Sequence, residues 1–310
     1  MGKVLVNSER KKTMDYADIR FPNLGIVFSH VGRSFRIGNF QIMYYGIMVA
    51  LGFVLGLIAA SREARRTGQD TEIYVDYFIT MVIPAIIGAR IYYVVFSWDY
   101  YGKHPLEIFN LRNGGLGIVG GISMAVLVMY FFCRKRGYKM LLMLDTVVTG
   151  TLIGQILGRW GNFFNREAFG SFTEGILAMQ IPVGYFEQNY RLGELQSAGL
   201  MDHLKELTVG GQTLSYIQVH PTFLYEGLWN LLILILVVLY RRRKRFDGEL
   251  LCIYLVGYGI GRFFIESLRT DQLTIGSTGI PATQVVCILL IIGGTLGFIR
   301  GRRKAGKAED

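Results

Sequence analysis

Charged residues are scarce in this chain, and so are proline and cysteine. Asp, Glu, Lys and Arg make up 18% of the 310 residues, whereas apolar residues make up 51% and the mean hydropathy is +0.35. An ordinary soluble domain carries about 25% charged residues. With 6 prolines and 3 cysteines, the composition excludes a disordered chain and a disulfide-stapled scaffold. It favours a bundle of apolar segments in a membrane.

Motifs of several common chemistries are also missing. The four histidines are scattered, and the sequence contains no HExxH pair, no P-loop and no serine elbow, so we expect neither a metal nor a cofactor. Cys133, Cys252 and Cys287 lie in or beside apolar stretches without a CxxC pair, which predicts small buried side chains. Residues 1–36 are polar and mixed and lack the apolar core of a secretory signal.

Seven apolar stretches are long enough to cross a bilayer, which takes about 20 residues in a helix. They lie at 40–60, 73–97, 115–133, 141–163, 222–240, 250–268 and 281–299. The strand-length alternation of a membrane barrel is missing, and only helices or closed barrels satisfy the backbone in lipid. The sequence therefore predicts an all-α integral membrane protein of about seven helices, with 1–310 as a single polytopic domain and a small extracytoplasmic head.

Lys and Arg are concentrated in alternate connections between these stretches. The rich segments are 61–72, 134–140, 241–249 and the C-terminal tail, and they alternate with the poorer segments 98–114, 164–221 and 269–280. Because short cytoplasmic loops carry the excess of Lys and Arg, we expect the N-terminus outside and the C-terminus in the cytoplasm, although the N-terminal segment is itself basic. The same loops account for the net charge of +10, so we expect no nucleic-acid partner.

Two extracytoplasmic segments follow from this topology. One is an N-terminal arm at 1–39, which could lie as an amphipathic segment on the outer leaflet. The other is a head segment at 164–221, the longest connection in the chain. Its leucines recur with roughly helical spacing and predict a short amphipathic helix. These leucines are Leu192, Leu195, Leu200, Leu204 and Leu207.

Ionisable residues in the sixth stretch form the first candidate site, because a charged side chain in the bilayer costs a few kcal/mol. Tyr258, Arg262, Glu266 and Arg269 share one helical stripe. Two interpretations stay open at this point. An Arg262–Glu266 pair could simply lock two helices together, or the glycines at 257, 259 and 261 could let a ligand or another backbone approach the stripe.

The second candidate site is GRWGNFFNREAFG at 158–170, at the outer end of the fourth stretch. Its two asparagines could cap the helix end, but a cap does not need two arginines and a carboxylate at membrane depth. Arginine suits a phosphate because its planar fork donates two charge-assisted hydrogen bonds. Two arginine clusters on different helices therefore indicate a pocket for an anionic headgroup.

Three weaker candidates follow. The glycines of GGLGIVGG at 114–121 could admit a substrate or allow close helix packing. His220, with Tyr225 and Glu226 at the start of the fifth stretch, is more typical of a hydrogen-bonded interface residue. Tyr45, at the start of the first stretch, fits the aromatic belt of a membrane protein.

Taken with their order in the chain, these segments resemble the bacterial prolipoprotein diacylglyceryl transferases. The family pattern G-R-x-G-N-F-x-N-x-E-x-x-G is filled at every fixed position. Further family segments occur in order at 44–46, 88–93, 114–121, 220–226 and 259–269, so the resemblance covers most of the chain. The residues that fill the pattern are Gly158, Arg159, Gly161, Asn162, Phe163, Asn165, Glu167 and Gly170.

The resemblance implies a reaction and its partners. The family transfers the diacylglyceryl group of phosphatidylglycerol to the thiol of a lipobox cysteine in a prolipoprotein, forming a thioether and releasing glycerol phosphate. The partners would be phosphatidylglycerol, the prolipoprotein signal peptide with its lipobox cysteine, and the lipid bilayer. The location would be the bacterial plasma membrane, which the chain crosses several times.

The resemblance also implies roles for individual residues. Arg159 and Arg262 would clamp the phosphate and neutralise the charge that grows on the leaving group. Tyr45 would contact the headgroup or the thiol, and Glu167 would orient an arginine. The other residues carried over to lipid binding are Asn162, Gly170, Tyr258, Glu266, Arg269, Gly114 and Gly120, of which Glu266 and Arg269 would order the second helix.

One position departs from the family pattern. Some relatives carry His, and others Tyr, where this chain has Val119, and the histidine has been proposed as the base. A side-chain base at this point is impossible here. The thiol, with a reference pKa of about 8.5, must be activated by nearby positive charge or lose its proton to Tyr45, Glu167 or the lipid phosphate.

Two other classes of protein compete with this interpretation. A transporter or flippase for an anionic lipid or metabolite would also place Arg and Glu within the membrane. Such proteins commonly contain paired repeats, and none is evident in this sequence. A non-catalytic scaffold that binds the precursor is the third alternative.

The assigned roles predict opposite results for two alanine variants. Arg262→Ala should abolish transfer because the phosphate loses one arm of its clamp, whereas Val119→Ala should keep most of the activity. The measurement is transfer of label from phosphatidylglycerol to a lipobox peptide by the purified proteins. Normal transfer by the Arg262→Ala protein would overturn the clamp assignment.

Overall fold

Seven helices of membrane-spanning length dominate the chain. A computed structural model describes residues 16–111, 114–189, 191–209, 211–275 and 278–309. Within these ranges the seven helices are long and apolar enough to cross a membrane, and each falls on one of the predicted stretches, so that prediction is confirmed. The helices are α1 (Tyr44–Arg66), α2 (Glu72–Phe96), α4 (Ile118–Arg136), α5 (Met140–Asn165), α8 (Thr222–Tyr240), α9 (Glu249–Leu268) and α10 (Ala282–Glu309), with short helices α3 (Trp98–Tyr101), α6 (Val183–Gln188) and α7 (Leu192–Ser197) between them.

Helix α5 is central, and its glycines bring α1 against it. A Cβ atom at Gly150 would lie 2.4 Å from the carbonyl oxygen of Gly56, and a Cβ atom at Gly56 would lie 2.9 Å from that of Gly150. One turn further along, Gly52 meets Gly154 in the same way. The two backbones can approach this closely only because neither helix carries a side chain at the crossing.

Helices α2 and α4 form a second close pair. A Cβ atom at Gly120 would lie 2.3 Å from the carbonyl oxygen of Gly88, so Gly120 serves helix packing. Arg90 on α2 is buried and donates to several carbonyls of the loop before α4, including those of Ile108, Gly114 and Gly115. An arginine in a membrane helix is thus satisfied by backbone oxygens rather than by a carboxylate.

A small sheet caps one end of the bundle and was not predicted from the sequence. Five antiparallel strands follow the order β2-β1-β5-β7-β6, and β3 and β4 form a separate hairpin. Strands from the predicted arm 1–39 therefore pair with strands from the predicted head segment, and residues 1–15 of that arm lie outside the described residues. The strands are β1 (Tyr16–Phe21), β2 (Ile26–Gly32), β3 (Ser34–Ile37), β4 (Phe40–Met43), β5 (Met179–Pro182), β6 (Lys205–Val209) and β7 (Gln212–Val219).

The single amphipathic helix predicted from the spaced leucines is wrong. The segment divides into α7, a 3-10 turn at Leu200–His203 and strand β6. Helix α7 does not continue past Gly199, because the backbone of this glycine takes the left-handed conformation, with φ of 64°. Leu195 and Leu200 are nevertheless buried in the core of the head, so the apolar spacing identified a buried face but not its secondary structure.

The two ends of the bundle differ in charge. At the head end, α1 and α8 begin and α5 and α9 end. At the opposite end, which we call the basic end, ion pairs join Arg136 to Asp76 and Arg302 to Glu249. The strands at 16–43 lie at the head end and the end of α10 lies at the basic end. The three cysteines are free and buried, as predicted.

The contact between α1 and α5 generates a stability prediction. Gly150→Ala should destabilise the folded protein by about 1–3 kcal/mol, because the new methyl group forces two helix backbones apart. Thermal unfolding in detergent measures the change. Gly293→Ala on α10 is the matched control, since no atom from elsewhere in the described part of the chain lies within 4 Å of its added Cβ. Equal midpoints for the two variants would contradict the close backbone contact.

Candidate active site

Arg159 and Arg262 meet at one buried carboxylate. The Arg159 Nη2 atom lies 2.6 Å from Oε1 of Glu226, and the Arg262 Nη1 atom lies 2.8 Å from Oε2 of the same residue. Arg262 Nη2 also lies 2.5 Å from Oε2 of Glu266, one turn along its own helix. The two carboxylate side chains are each 3% exposed. Three helices, α5, α8 and α9, thus bring two guanidinium groups side by side at the head end.

Glycines on α9 explain how these helices come close enough. A Cβ atom at Gly261 would lie 2.1 Å from the ring of Trp229 on α8, which lies one turn below Glu226. The Trp229 indole donates to the carbonyl oxygen of Gly257 over 2.8 Å. Gly259 faces the other way and meets α10 at Ile291. In the structure, the space beside Gly259 and Gly261 is therefore filled by neighbouring helices.

A second carboxylate, that of Glu167, is connected to the Arg159–Arg262 pair through an asparagine. Glu167 Oε1 accepts hydrogen bonds from the side-chain amides of Asn162, over 2.9 Å, and Asn165, over 3.2 Å. The side-chain Oδ1 atom of Asn162 in turn accepts one from Arg159 Nη1 over 3.3 Å. Helix α5 ends just here because Arg166 takes the left-handed conformation, with φ of 51°. Glu167 is therefore linked to Arg159 by way of Asn162.

Tyr45 and Tyr258 border the arginine pair. The Tyr45 ring packs on the bare backbone of Gly161, where an added Cβ would lie 2.7 Å from the ring. The Tyr45 hydroxyl lies within electrostatic range of Glu167 and Arg159. Tyr258, one turn below Arg262, lies within electrostatic range of Glu226, Arg159 and Arg262, and its ring stacks on that of Tyr254 with centroids 5.7 Å apart.

Gly170 and Arg269 lie at the joint between the head and the bundle. The Gly170 amide donates to the His220 carbonyl oxygen over 2.9 Å, and a Cβ there would lie 2.7 Å from both His220 Cβ and the Leu268 oxygen. Arg269 forms a β-bridge with Gly170 and an ion pair of 2.6 Å with Asp271. Both residues thus fix the position of the head over α8 and α9.

His220 contacts Tyr225 rather than the charged cluster. Its Nδ1 lies 3.2 Å from the Tyr225 hydroxyl. Burial lowers the pKa of His220, so the ring is neutral at pH 7. This geometry matches the hydrogen-bonded interface role considered for it from the sequence.

Two polar residues of α8 were not identified as site residues from the sequence. Glu226 was noted only as a neighbour of His220, yet it joins both arginines. Asn230 lies one turn deeper, is 0% exposed, and its side-chain oxygen and nitrogen have no hydrogen-bond partner among the described residues. The available signal was their spacing of four residues on one face of an otherwise apolar span.

The fold and this site define a multi-pass membrane protein that can hold an anionic group between two guanidinium groups. Residues 33–300 match the family described as prolipoprotein diacylglyceryl transferase. Several bacterial proteins named phosphatidylglycerol–prolipoprotein diacylglyceryl transferase are similar over most of their length. The one from Finegoldia magna is 38% identical over 89% of this chain and 98% of its own, and one from Bacillus cereus is 37% identical over 88% and 93%. One from Bacillus anthracis is 38% identical over 88% and 93%.

The chain belongs to the prolipoprotein diacylglyceryl transferase family. The match spans most of the sequence, from the start of strand β3 into α10. The resemblance stated from the motifs alone is thereby confirmed.

Proposed function

We propose that this protein transfers the diacylglyceryl group of phosphatidylglycerol to the lipobox cysteine of prolipoproteins in a bacterial plasma membrane. The substrates named for its relatives support this assignment. The observation that carries it is the pair of guanidinium groups on one buried carboxylate. The head end faces outward and the C-terminus lies in the cytoplasm, in agreement with the Lys and Arg distribution. The lipobox would then reach the site from the head end.

Arg159 and Arg262 bind the phosphodiester. Both guanidinium groups already lie beside the carboxylate of Glu226, and a phosphate offers oxygen acceptors of the same kind. As the carbon–oxygen bond breaks, charge grows on the leaving phosphate, and two fixed guanidinium groups stabilise it without reorganising. Asn162 and Glu167 orient Arg159, while Glu226 and Glu266 orient Arg262. Tyr45 lies beside the clamp and contacts the headgroup or the thiol.

Gly170, Arg269 and the glycines of the 114–121 segment support the site indirectly. Gly170 and Arg269 hold the head over the pair. Gly114 offers its carbonyl to Arg90, and Gly120 holds α2 against α4. Tyr258 and Glu266 lie on α9 one turn to either side of Arg262. A lipid bound at the arginine pair would therefore have one of these side chains on each side of Arg262.

The reaction forms a sulfur–carbon bond and breaks the bond between the glycerol carbon and the phosphate oxygen. The thiol proton leaves, and the phosphodiester monoanion becomes a phosphate monoester. Arg159, Arg262, Glu226 and Glu266 together carry no net charge, so a bound phosphodiester leaves one negative charge in excess. The proton that the thiol loses goes to Tyr45, Glu167 or the phosphate itself.

A direct assay tests the assignment. The purified protein is incubated with phosphatidylglycerol labelled in its acyl chains and with a lipobox peptide, and the peptide cysteine is examined for label. We expect a labelled thioether and released glycerol phosphate. A lipobox peptide with serine in place of cysteine is the control and should stay unlabelled. Movement of lipid across vesicles without a covalent product would favour a transporter, and peptide binding alone would favour a scaffold.

Replacing Glu226 separates its role from that of the arginines. In Glu226→Gln the guanidinium groups lose their shared counter-charge, so the phosphodiester should bind as well or better. Turnover should fall because the two guanidinium groups also lose the carboxylate that holds them side by side. We expect kcat to drop by about 100-fold or more with KM unchanged or lowered.

Glu194→Gln in the head is the matched control, because that carboxylate is 51% exposed and, among the described residues, pairs only with Arg191. Thermal unfolding identifies any loss caused by misfolding, which is expected when one partner of a buried ion pair is removed. A kcat near that of the unmodified protein would refute the role of Glu226.

A further inference from the structure

A charged cavity lies at the basic end, far from the arginine pair of the head end. Its volume is about 380 Å³, and it lies between the ends of α1 and α8 and the start of α5. Its charged lining residues are Glu63, Arg66, Asp145, Arg241, Arg242 and Lys244. Nothing in the transfer reaction uses these groups, because the phosphate clamp lies at the other end of the bundle.

Glu63 holds two guanidinium groups at the wall of this cavity. The Arg66 Nη2 atom lies 2.5 Å from its Oε1, and the Arg241 Nη1 atom lies 2.5 Å from its Oε2. Glu63 is 3% exposed, so this carboxylate fixes both arginines in place. The Nε atom of Arg241 is buried and has no acceptor among the described residues. A buried guanidinium nitrogen without an acceptor is a donor that a water or a ligand oxygen in the cavity can satisfy.

The other carboxylate in the cavity wall, that of Asp145, already has partners of its own. Asp145 accepts hydrogen bonds from the backbone amides of Gly248 and Leu251, each over 2.8 Å, and pairs with Lys244 over 2.9 Å. Its charge is therefore neutralised by the start of α9 and by the lysine. An anion in the cavity meets little repulsion from it.

The wall carries more positive than negative charge. Four cationic and two anionic side chains line it, which leaves an excess of two, and Asp247 just outside offsets one of these through Lys244. Arg242 is exposed and pairs with no carboxylate among the described residues. Its guanidinium is free to close on a ligand. The excess charge matches an anion that accepts several hydrogen bonds.

We propose that this cavity binds a phosphate group, held by Arg66, Arg241 and Arg242. Two guanidinium forks fixed by one carboxylate and a third free fork at the rim match the several acceptor oxygens of a phosphate. The phosphate belongs either to a lipid headgroup of the adjacent leaflet or to a soluble phosphate. Bound there, it bridges α1 to α8 at the basic end and leaves the head end untouched.

The test measures binding to the full-length protein in detergent. The probes are dioctanoyl phosphatidic acid, dioctanoyl phosphatidylcholine and inorganic phosphate, and native mass spectrometry counts the bound molecules. The variant Arg241→Gln/Arg242→Gln removes two forks. Arg300→Gln/Arg303→Gln removes the same charge from exposed positions of α10 and is the matched control. Arg242→Glu is a second variant that leaves the Glu63 pairs intact and so does not depend on the folding of the first.

We expect both cavity variants to bind phosphatidic acid at this site at least tenfold more weakly, because each loses charge-assisted hydrogen bonds to the phosphate. They should lose one bound molecule, keep the one at the head end, and keep transferase activity. Binding of the lipid alone assigns the site to a headgroup, and binding of inorganic phosphate as well assigns it to phosphate in general. Equal binding by the cavity variants and the control would overturn the proposal, whatever the transferase assay gives.

Discussion

The cost of burying a guanidinium group in a membrane bundle governs this structure. A buried charge is tolerated when a partner of opposite charge and good geometry accompanies it. The protein meets this requirement by placing one carboxylate between two arginines, with Glu226 at the head end and Glu63 at the basic end. Each carboxylate fixes the position of two guanidinium groups, which under the two proposals above preorganises both arrangements for an oxygen-rich anion.

Glycine makes these arrangements possible. The shared carboxylate must be reached from three helices, and ordinary side chains at the crossings would keep the helices apart. Gly150 and Gly56 let α1 rest on α5, and Gly261 lets α9 rest on Trp229 beside Glu226. The high glycine content of the chain, 39 residues, is therefore tied to where its charges lie. Close helix packing is thus what allows charged side chains on different helices to pair.

The sequence predicts the membrane helices well because their signal is local. Length and hydropathy identify all seven spans within a few residues. The sheet of the head depends instead on pairing between distant segments, such as β1 with β5, and short strands leave little trace in composition. The leucines from Leu192 to Leu207 mark a buried surface in either case, so their spacing could not tell a helix from a helix followed by a strand. Glu226 escaped notice because its importance lies in two contacts from other helices.

The replacement at Val119 gains meaning from the charge balance of the clamp. A histidine or tyrosine at that point could take the thiol proton in the relatives that carry one, and Val119 has no group that could do so. Arg159, Arg262, Glu226 and Glu266 are neutral together, so under the proposed function the incoming phosphodiester brings a further negative charge beside the clamp. The thiol proton then has to go to Tyr45, Glu167 or the phosphate, and of these the phosphate arrives only with the lipid. If the phosphate is the acceptor, the thiol is activated only when its electrophile is already bound, which is an order of events that a fixed base at position 119 would not impose.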